Sequence, residues 1–334
     1  MNHNPHLTDW TGYWATGALH SCLGSYAGNY AGAVRAFWIQ EWIERLEPTH
    51  RTLDLGCGNG PLAQLLAQER PAPPAYLGID LAAIAPAWTG SIEPAKAAQI
   101  SFLGSVDMTH TELPNGAFDW AVSQFGAEYA NQDKLLLELD RVLSSEAHLV
   151  FCMHHAEGRL AQVSREELRH SVWLSAEGGL WAATAEMIEP MALARTLQGR
   201  RQLERSEQAL RARERFNQAQ DQLNDRSAQS IIPDLLFQMR EASAQVLGLA
   251  QQSGPAAARA AWTQQQHLLR QAQARHQELL AAALSEQQAR ELHERLCRLR
   301  QNWGGHLKRI EEGPYVLGWG FSFHSTRSNS PCLA

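Results

Sequence analysis

The residues best suited to chemistry form one short stretch, Thr52-Leu53-Asp54-Leu55-Gly56-Cys57-Gly58-Asn59-Gly60. An apolar run from Arg51 carries one acid, turns through three alternate glycines and meets Pro61. Leu62, Leu65 and Leu66 then begin a helical period. The order is strand, tight turn, helix. Glycine admits dihedrals closed to other residues and lets a ligand approach the backbone. Pro61 suits a first helical position, and the helix start behind it offers unpaired N–H groups to polar or anionic atoms. A second acid, Asp80, ends the apolar run Ala75-Tyr76-Leu77-Gly78-Ile79. An acid about 20 residues past such a turn accepts hydrogen bonds from ribose hydroxyls in nucleotide-binding folds. Dinucleotide folds want G-x-G-x-x-G, whereas this chain spaces its glycines G-x-G-x-G.

With Asp54 two residues before the first glycine, the pattern resembles the first motif of class I S-adenosylmethionine-dependent methyltransferases, of the small-molecule type. The resemblance implies S-adenosyl-L-methionine as cofactor and S-adenosyl-L-homocysteine as product. It places Asp54 near the methionine ammonium and Gly56, Gly58 and Gly60 under the ribose and amino-acid portion. Asp80 falls on the ribose hydroxyls, with Leu81 beside it. Past the third strand, Gln99–Val106, it assigns Ser105 and Val106 to the adenine ring. Here the chain departs from the family: Ser105 follows Gly104 where an acid is usual, and Asp107 stands two residues further on, so which side chain meets the adenine amine stays open. Leu113-Pro114 resembles the family's step ahead of the fourth strand.

Those residues need a sheet to position them. Strand and helix patterns alternate from Arg51 to Met153, which implies parallel pairing with right-handed crossovers. The fourth strand, from Phe118, brings Ser123, Gln124 and Phe125 to the carboxyl edge where ligands bind in such sheets. Glu128 and Tyr129 follow, and Asp133–Leu143 is amphipathic. A fifth strand, His148–Met153, ends in His154-His155. Some 145 residues of helical character intervene before His306–Ile310 and Tyr315–Ser325 supply two last strands, the final one antiparallel and inserted in the sheet. The expected fold is α/β, a Rossmann-like seven-stranded and mostly parallel sheet with helices on both faces.

Three regions follow. Residues 1–45 are rich in aromatics, with Val34, Phe37, Trp38 and Trp42 on a helical stripe; Tyr26 and Tyr30 are expected to close over the cofactor. Residues 46–158 and 303–330 form the Rossmann-like domain. Residues 159–302 form a helical insertion, divided at Pro190, Pro233 and Gly254-Pro255 into about four helices. Leu203, Leu210, Phe216 and Leu223 make one apolar stripe, and Leu268 to Leu299 another. A continuous helix from Ala256 to Asn302 would span about 70 Å, so the insertion is expected to act as a cap or a coiled-coil-like arm, and to offer a surface for a homodimer. Trp173, near its start, is a candidate for contact with the acceptor.

Composition narrows the class. No apolar run reaches the roughly 18 residues of a membrane span, and Met1–Trp10 has no basic or apolar leader region. Five scattered cysteines without a C-x-x-C pair fit free thiols and argue against zinc, so no metal is expected. A net charge of −6 gives no general attraction to nucleic acid or anionic membrane. The expected setting is the cytoplasm.

The expected reaction is in-line methyl transfer to a small molecule or peptide, with the gain largely positional. His154 and His155 are the candidate bases, since histidine titrates near neutrality and the pair leaves the sheet on its active edge. Phe125, Glu128 and Tyr129 are candidates for the acceptor side. Base-methylating enzymes of this type carry Pro-Pro-aromatic after the fourth strand where this chain has Ser-Gln-Phe-Gly, which speaks against nucleic acid. Two alternatives remain: an inactive methyltransferase-fold scaffold, and a methyltransferase of protein or RNA.

Overall fold

The computed structural model describes residues 5–21 and 28–325. Helices α1 (Pro5–Trp14) and α2 (Gly32–Glu41) precede the sheet. Strands and helices then alternate as β1 (Arg51–Leu55), α3 (Pro61–Glu69), β2 (Ala75–Asp80), α4 (Pro94–Ala97) and β3 (Ile100–Gly104). Next come β4 (Phe118–Gln124), α5 (Gln132–Val142) and β5 (Leu143–Met153). Seven helices follow: α6 (Arg159–Leu174), α7 (Leu180–Leu193), α8 (Leu197–Leu203), α9 (Glu207–Gln229), α10 (Asp234–Ser253), α11 (Pro255–Ala282) and α12 (Glu286–Leu299). Strands β6 (Trp303–Glu312) and β7 (Tyr315–Ser325) end the described chain.

The seven strands form one sheet in the order β3-β2-β1-β4-β5-β7-β6. β1 to β5 are parallel, and β7 runs antiparallel between β5 and β6. This is a Rossmann-like α/β architecture with helices on both faces of a mostly parallel sheet. Alternation along β1 sends Leu53 and Leu55 into one apolar cluster, with Leu135, Leu139 and Phe321. The opposite face meets a second cluster built on Trp38, Trp42, Leu62, Leu66 and Trp120. The aromatic stripe of α2 thus packs on the sheet.

The chain divides into two units, one running up to Gln162 and resuming at Glu278, the other Val163–Gln277. The second unit has its own core, including Leu174, Leu180, Ile188, Leu223, Leu236 and Ala250, with Trp181 against Trp262 at 4.3 Å between ring centroids. Its Arg200, Arg201, Arg205, Arg211, Arg213 and Arg215 are exposed, and Arg211 pairs with Glu207 one turn away at 3.1 Å. Leu210 and Leu268, two members of the expected stripes, are exposed.

The helical region differs from its sequence reading in three ways. Pro190 sits inside α7, near its end, instead of ending the helix. The long helix from Ala256 breaks at Ala283-Leu284-Ser285: Leu284 N donates to His154 O at 2.9 Å, and Ala156 N donates to Leu284 O at 2.9 Å. Ser285 then caps α12 through a reciprocal capping box with Gln288. Third, α12 belongs with the sheet, because Ala289, Leu292 and Leu296 pack into the first cluster. Residues 278–302 therefore fall outside the separate helical unit. Cys297 is disulfide-bonded, where thiols were expected throughout. Among the described residues no helix is long and apolar enough to cross a membrane.

Glu41, the last residue of α2, ties the N-terminal helix to the two C-terminal strands. It is 5% exposed, and accepts from Lys308 Nζ at 2.6 Å and Ser322 Oγ at 2.8 Å, with His306 at 3.3 Å. Burial alone would raise its pKa, but hydrogen bonds from His306, His324, Lys308 and Ser322 outweigh it and hold the carboxyl far below the usual range. Breaking a buried ion pair costs about 3 kcal/mol. Glu41→Ala should therefore lower the unfolding free energy, read by urea titration, by that order at pH 7. A depressed carboxyl pKa lends stability above its unfolded value and loses it as pH falls, so the gap between variant and parent should narrow in acid.

Candidate functional site

β1 has β2 on one side and β4 on the other, so the strand order reverses there and leaves a crevice at the carboxyl edge. A cavity of about 670 Å³ opens at that point. The turn after β1 contributes Gly56, Cys57 and Pro61 to its wall; β2 contributes Asp80, Leu81 and Ala82. Asp107, Met108 and Thr109 come from beyond β3, and Gln124, Phe125, Gly126, Glu128 and Tyr129 from the end of β4 and the turn after it. Trp10, Trp14, His20 and Tyr30 close it from the N-terminal segment, and Glu278, Ala281 and Ala282 from the last turn of α11.

The glycine turn is held by its neighbours. Gly56, Gly58 and Gly60 have φ of 68°, 50° and 73°, all left-handed. Gly56 N and Cys57 N both donate to Ile79 O, at 2.9 and 3.0 Å. Asp80 receives Gly58 N on Oδ2 and Ala82 N on Oδ1, each at 2.8 Å. Burial raises the Asp80 pKa, with those two backbone donors opposing. A Cβ on Gly58 would come within 2.6 Å of the Trp14 ring, so the N-terminal segment lies against the turn. Asn59 Nδ2 fastens that segment by donating to Trp14 O at 2.9 Å and Ala18 O at 2.8 Å.

Asp54 is placed otherwise than its assigned part beside the methionine ammonium. It is 1% exposed, lies outside the cavity wall and accepts a hydrogen bond from the Tyr76 hydroxyl on Oδ2, while Oδ1 has no partner in the protein. Burial pushes its pKa up to about 7; the Tyr76 bond opposes this and the charge of Asp80 adds to it.

At the end of β4, Ser123 is a clasp outside the wall: its Oγ donates to Leu55 O at 2.7 Å and accepts from Ala127 N at 2.9 Å. Gln124 accepts from Trp38 Nε1, and its own Nε2 has no partner. Phe125 holds φ at 55° and stacks its ring on His154 at 4.2 Å. Glu128 is 7% exposed and borders the cavity. Its Oε1 accepts from both His154 N and His154 Nδ1 at 2.8 Å, and its Oε2 has no protein partner.

The two histidines point to opposite faces, as alternation along an extended chain requires. Neither borders the cavity directly. His154 reaches it through Glu128, whereas His155 stacks on Trp319 at 4.4 Å and accepts from Glu157 N. Burial lowers the His155 pKa.

Of the residues singled out from sequence, Gly56, Asp80, Leu81, Tyr30, Gln124, Phe125, Glu128 and Tyr129 meet at the cavity. Gly58 and Gly60 support it from the turn. Ser105 and Val106 do not border it; their amides close the turn by donating to Ala82 O and Asp80 O, and the chain presents Asp107 and Met108 instead. Trp173 belongs to the helical unit, with the Arg226 guanidinium over its ring at 5.1 Å. Tyr26 lies outside the described residues. Trp10, Trp14 and Glu278 were not singled out, and only the aromatic density of the N-terminal segment signals the first two.

Asp54 makes the pH dependence testable. Unfolded, its carboxyl loses its proton near pH 4; folded, it keeps it to about pH 7. The folded state holds the extra proton between those values, so this group's stabilising contribution falls as pH rises across that window. Asp54→Asn should flatten the fall, read as melting temperature from pH 4.5 to 8.

Residues 53–151 match the model of a methyltransferase domain family. None of the curated proteins matches the chain. Among solved structures, the YcgJ protein of Bacillus subtilis is 15% identical, with 39% of this chain and 59% of that one covered and a TM-score of 0.30. A geranyl diphosphate C-methyltransferase from Streptomyces coelicolor, in complex with Mg2+, geranyl diphosphate and S-adenosyl-L-homocysteine, is 15% identical over 45% and 65% of the two chains, at a TM-score of 0.35. An S-adenosylmethionine-dependent methyltransferase from Mesorhizobium loti is 25% identical over 37% and 57%, at 0.28. The chain spans less than two thirds of the length of each of these three.

Proposed function

From the premise that residues 53–151 are a class I S-adenosylmethionine-dependent methyltransferase domain, we propose that the chain methylates a small molecule or peptide held in the cavity at the carboxyl edge of β1 to β4. The observation that carries this reading is the lining of that cavity, which brings together the glycine turn after β1, Asp80 at the end of β2, Asp107 beyond β3 and the turn after β4. Its volume of about 670 Å³ is in the range that encloses a ligand of drug size.

The residues present fit the cofactor. Each Asp80 oxygen accepts only one backbone N–H and keeps a lone pair for a ribose hydroxyl. Asp107 and Met108 supply an acceptor and an apolar surface for the adenine. Gln124 and Glu128 also border the cavity. Aromatic faces at Trp10, Trp14 and Tyr30 suit a cation.

When bound, the cofactor supplies an electrophilic methyl group on a sulfonium sulfur. The chain's own residues do the rest. The left-handed glycines bring Gly56 and Cys57 backbone to the ligand, and Asp80 fixes both the turn and the ribose. His154 is a positioning residue: it pins Glu128 Oε1 with two donors and fixes that buried side chain behind the wall. His155, on the far face against Trp319, has no part in this scheme.

Titration calorimetry with S-adenosyl-L-homocysteine tests the reading, and the parent protein should bind it. Asp80→Ala should weaken binding about tenfold to a hundredfold, the range for hydrogen bonds to a charged group. A parent that binds no S-adenosyl-L-homocysteine overturns the proposal.

The helical unit is assigned to acceptor selection on topological grounds. The chain enters it after Gln162, just past the edge where β5 ends, and returns at Glu278, the turn that borders the cavity. Replacing Val163–Gln277 by a Gly-Ser linker should leave cofactor affinity nearly unchanged and abolish methylation of the native acceptor. Full activity in that variant would separate the unit from acceptor choice.

A further inference from the structure

We propose that the protein carries an acid-sensitive latch at the amino edge of its sheet: His148 holds the end of β7 through an unprotonated ring nitrogen, and protonation of that ring releases the strand. Ser325 N, at the end of β7, donates to His148 Nδ1 at 3.2 Å. Nearby, Glu47 N and Trp120 Nε1 both donate to His50 Nδ1 at 3.0 Å. Each donor is an N–H group that cannot accept, so both Nδ1 atoms present lone pairs and both rings are neutral in this geometry. An imidazolium forms at His148 only by adding a proton to Nδ1, where it displaces the Ser325 amide.

The surroundings make that proton costly. The His148 ring stacks on Trp120 at 4.4 Å and lies 5.4 Å from His324 of β7 and 6.2 Å from His50, just before β1. Burial lowers the His148 pKa to about 4; the charges of His324, His50 and Arg45 add to the shift, and Asp119 of β4 opposes it. The Trp120 face favours a cation and so works on the side of Asp119. His324 is lowered by burial too, against the pull of Glu41 on α2 at 3.7 Å. The remaining charged groups are already engaged. Glu41 takes Lys308 and, at 3.3 Å, His306 of β6. Glu47 faces His50 Nε2 at 3.8 Å, Arg51 holds Asp119 at 3.3 Å, and Glu146 of β5 accepts from Ser325 Oγ at 2.9 Å. Protons on both His148 and His324 would set like charges on the two strands that the latch joins.

Unfolded, the His148 ring takes its proton near pH 6.5; folded, it does so only at about pH 4. The unfolded chain holds the extra proton between those values. The latch's contribution is therefore complete above pH 6.5 and is lost as pH falls toward 4. The Glu41 contribution falls only below the unfolded carboxyl value of about pH 4. Asp54 acts with the opposite sign, so the latch is read as a difference between parent and variant.

His148→Gln keeps an acceptor for Ser325 N and removes the titrating ring. From pH 7 to pH 5 the unfolding equilibrium constant of the parent, read by urea titration, should rise about tenfold to thirtyfold relative to that of the variant. Hydrogen exchange of the full chain at the same two values, corrected for intrinsic rates, should lose at least about fivefold more protection at Tyr315–Ser325 than at Arg51–Leu55 in the parent, and not in the variant. An NMR titration of the His148 ring in the parent needs no substitution and should give a midpoint below about pH 6. A midpoint at or above that value, parallel urea curves, or equal loss of protection on β7 and β1 overturns the inference.

Discussion

The site depends on one carboxylate. Asp80 ends β2 and accepts Gly58 N and Ala82 N on its two oxygens, so it joins the turn after β1 to the turn after β2. Three left-handed residues in five positions would be a loose segment on their own, because glycine loses more conformational freedom on folding than any other residue. Ile79 O takes two amides of the same turn. Together these bonds fix the backbone against which Trp14 lies. The N-terminal segment therefore has a defined surface to close on, and the cavity acquires its aromatic side. Each of its oxygens is met by a donor, which favours the charged form against the burial that raises its pKa.

The order of the strands, their direction and the identity of the glycine turn were legible in the sequence, since hydrophobic period and breaker residues report them directly. Side-chain direction was less so. Asp54 reads as a ligand residue by its type, yet alternation places it opposite Leu53 and Leu55, on the face where Tyr76 offers a hydroxyl. The same alternation separates His154 from His155. The break before α12 was also written locally, as Ser285 and Gln288 at capping-box spacing, but the leucine stripe on either side masked it.

What no local pattern could report is the pairing of distant residues. Trp10 and Glu278 are 268 positions apart and meet only because the sheet unit takes up the chain again after the helical region. Glu41 likewise gathers partners from β6 and β7. Sequence spacing carries no trace of either contact. Both involve a polar or charged group that is stabilising only when its partner arrives, which makes them features of the finished fold and not of its elements.

Phe125 joins these two kinds of information. It stands between Gln124 and Gly126 with φ at 55°, a conformation that a bulky residue adopts at a cost of about 1–3 kcal/mol. Glycine would relieve that strain, and the chain does not use it there. The ring instead stacks on His154 at 4.2 Å, while Phe125 N donates to Cys152 O at 2.7 Å. Held so, the imidazole keeps Nδ1 on Glu128 and is covered on one face, while Glu128 Oε2 and His154 Nε2 lie buried without protein partners. The strained residue and the buried pair are thus one device: backbone strain at the end of β4 is exchanged for a carboxylate whose direction is set before any ligand arrives.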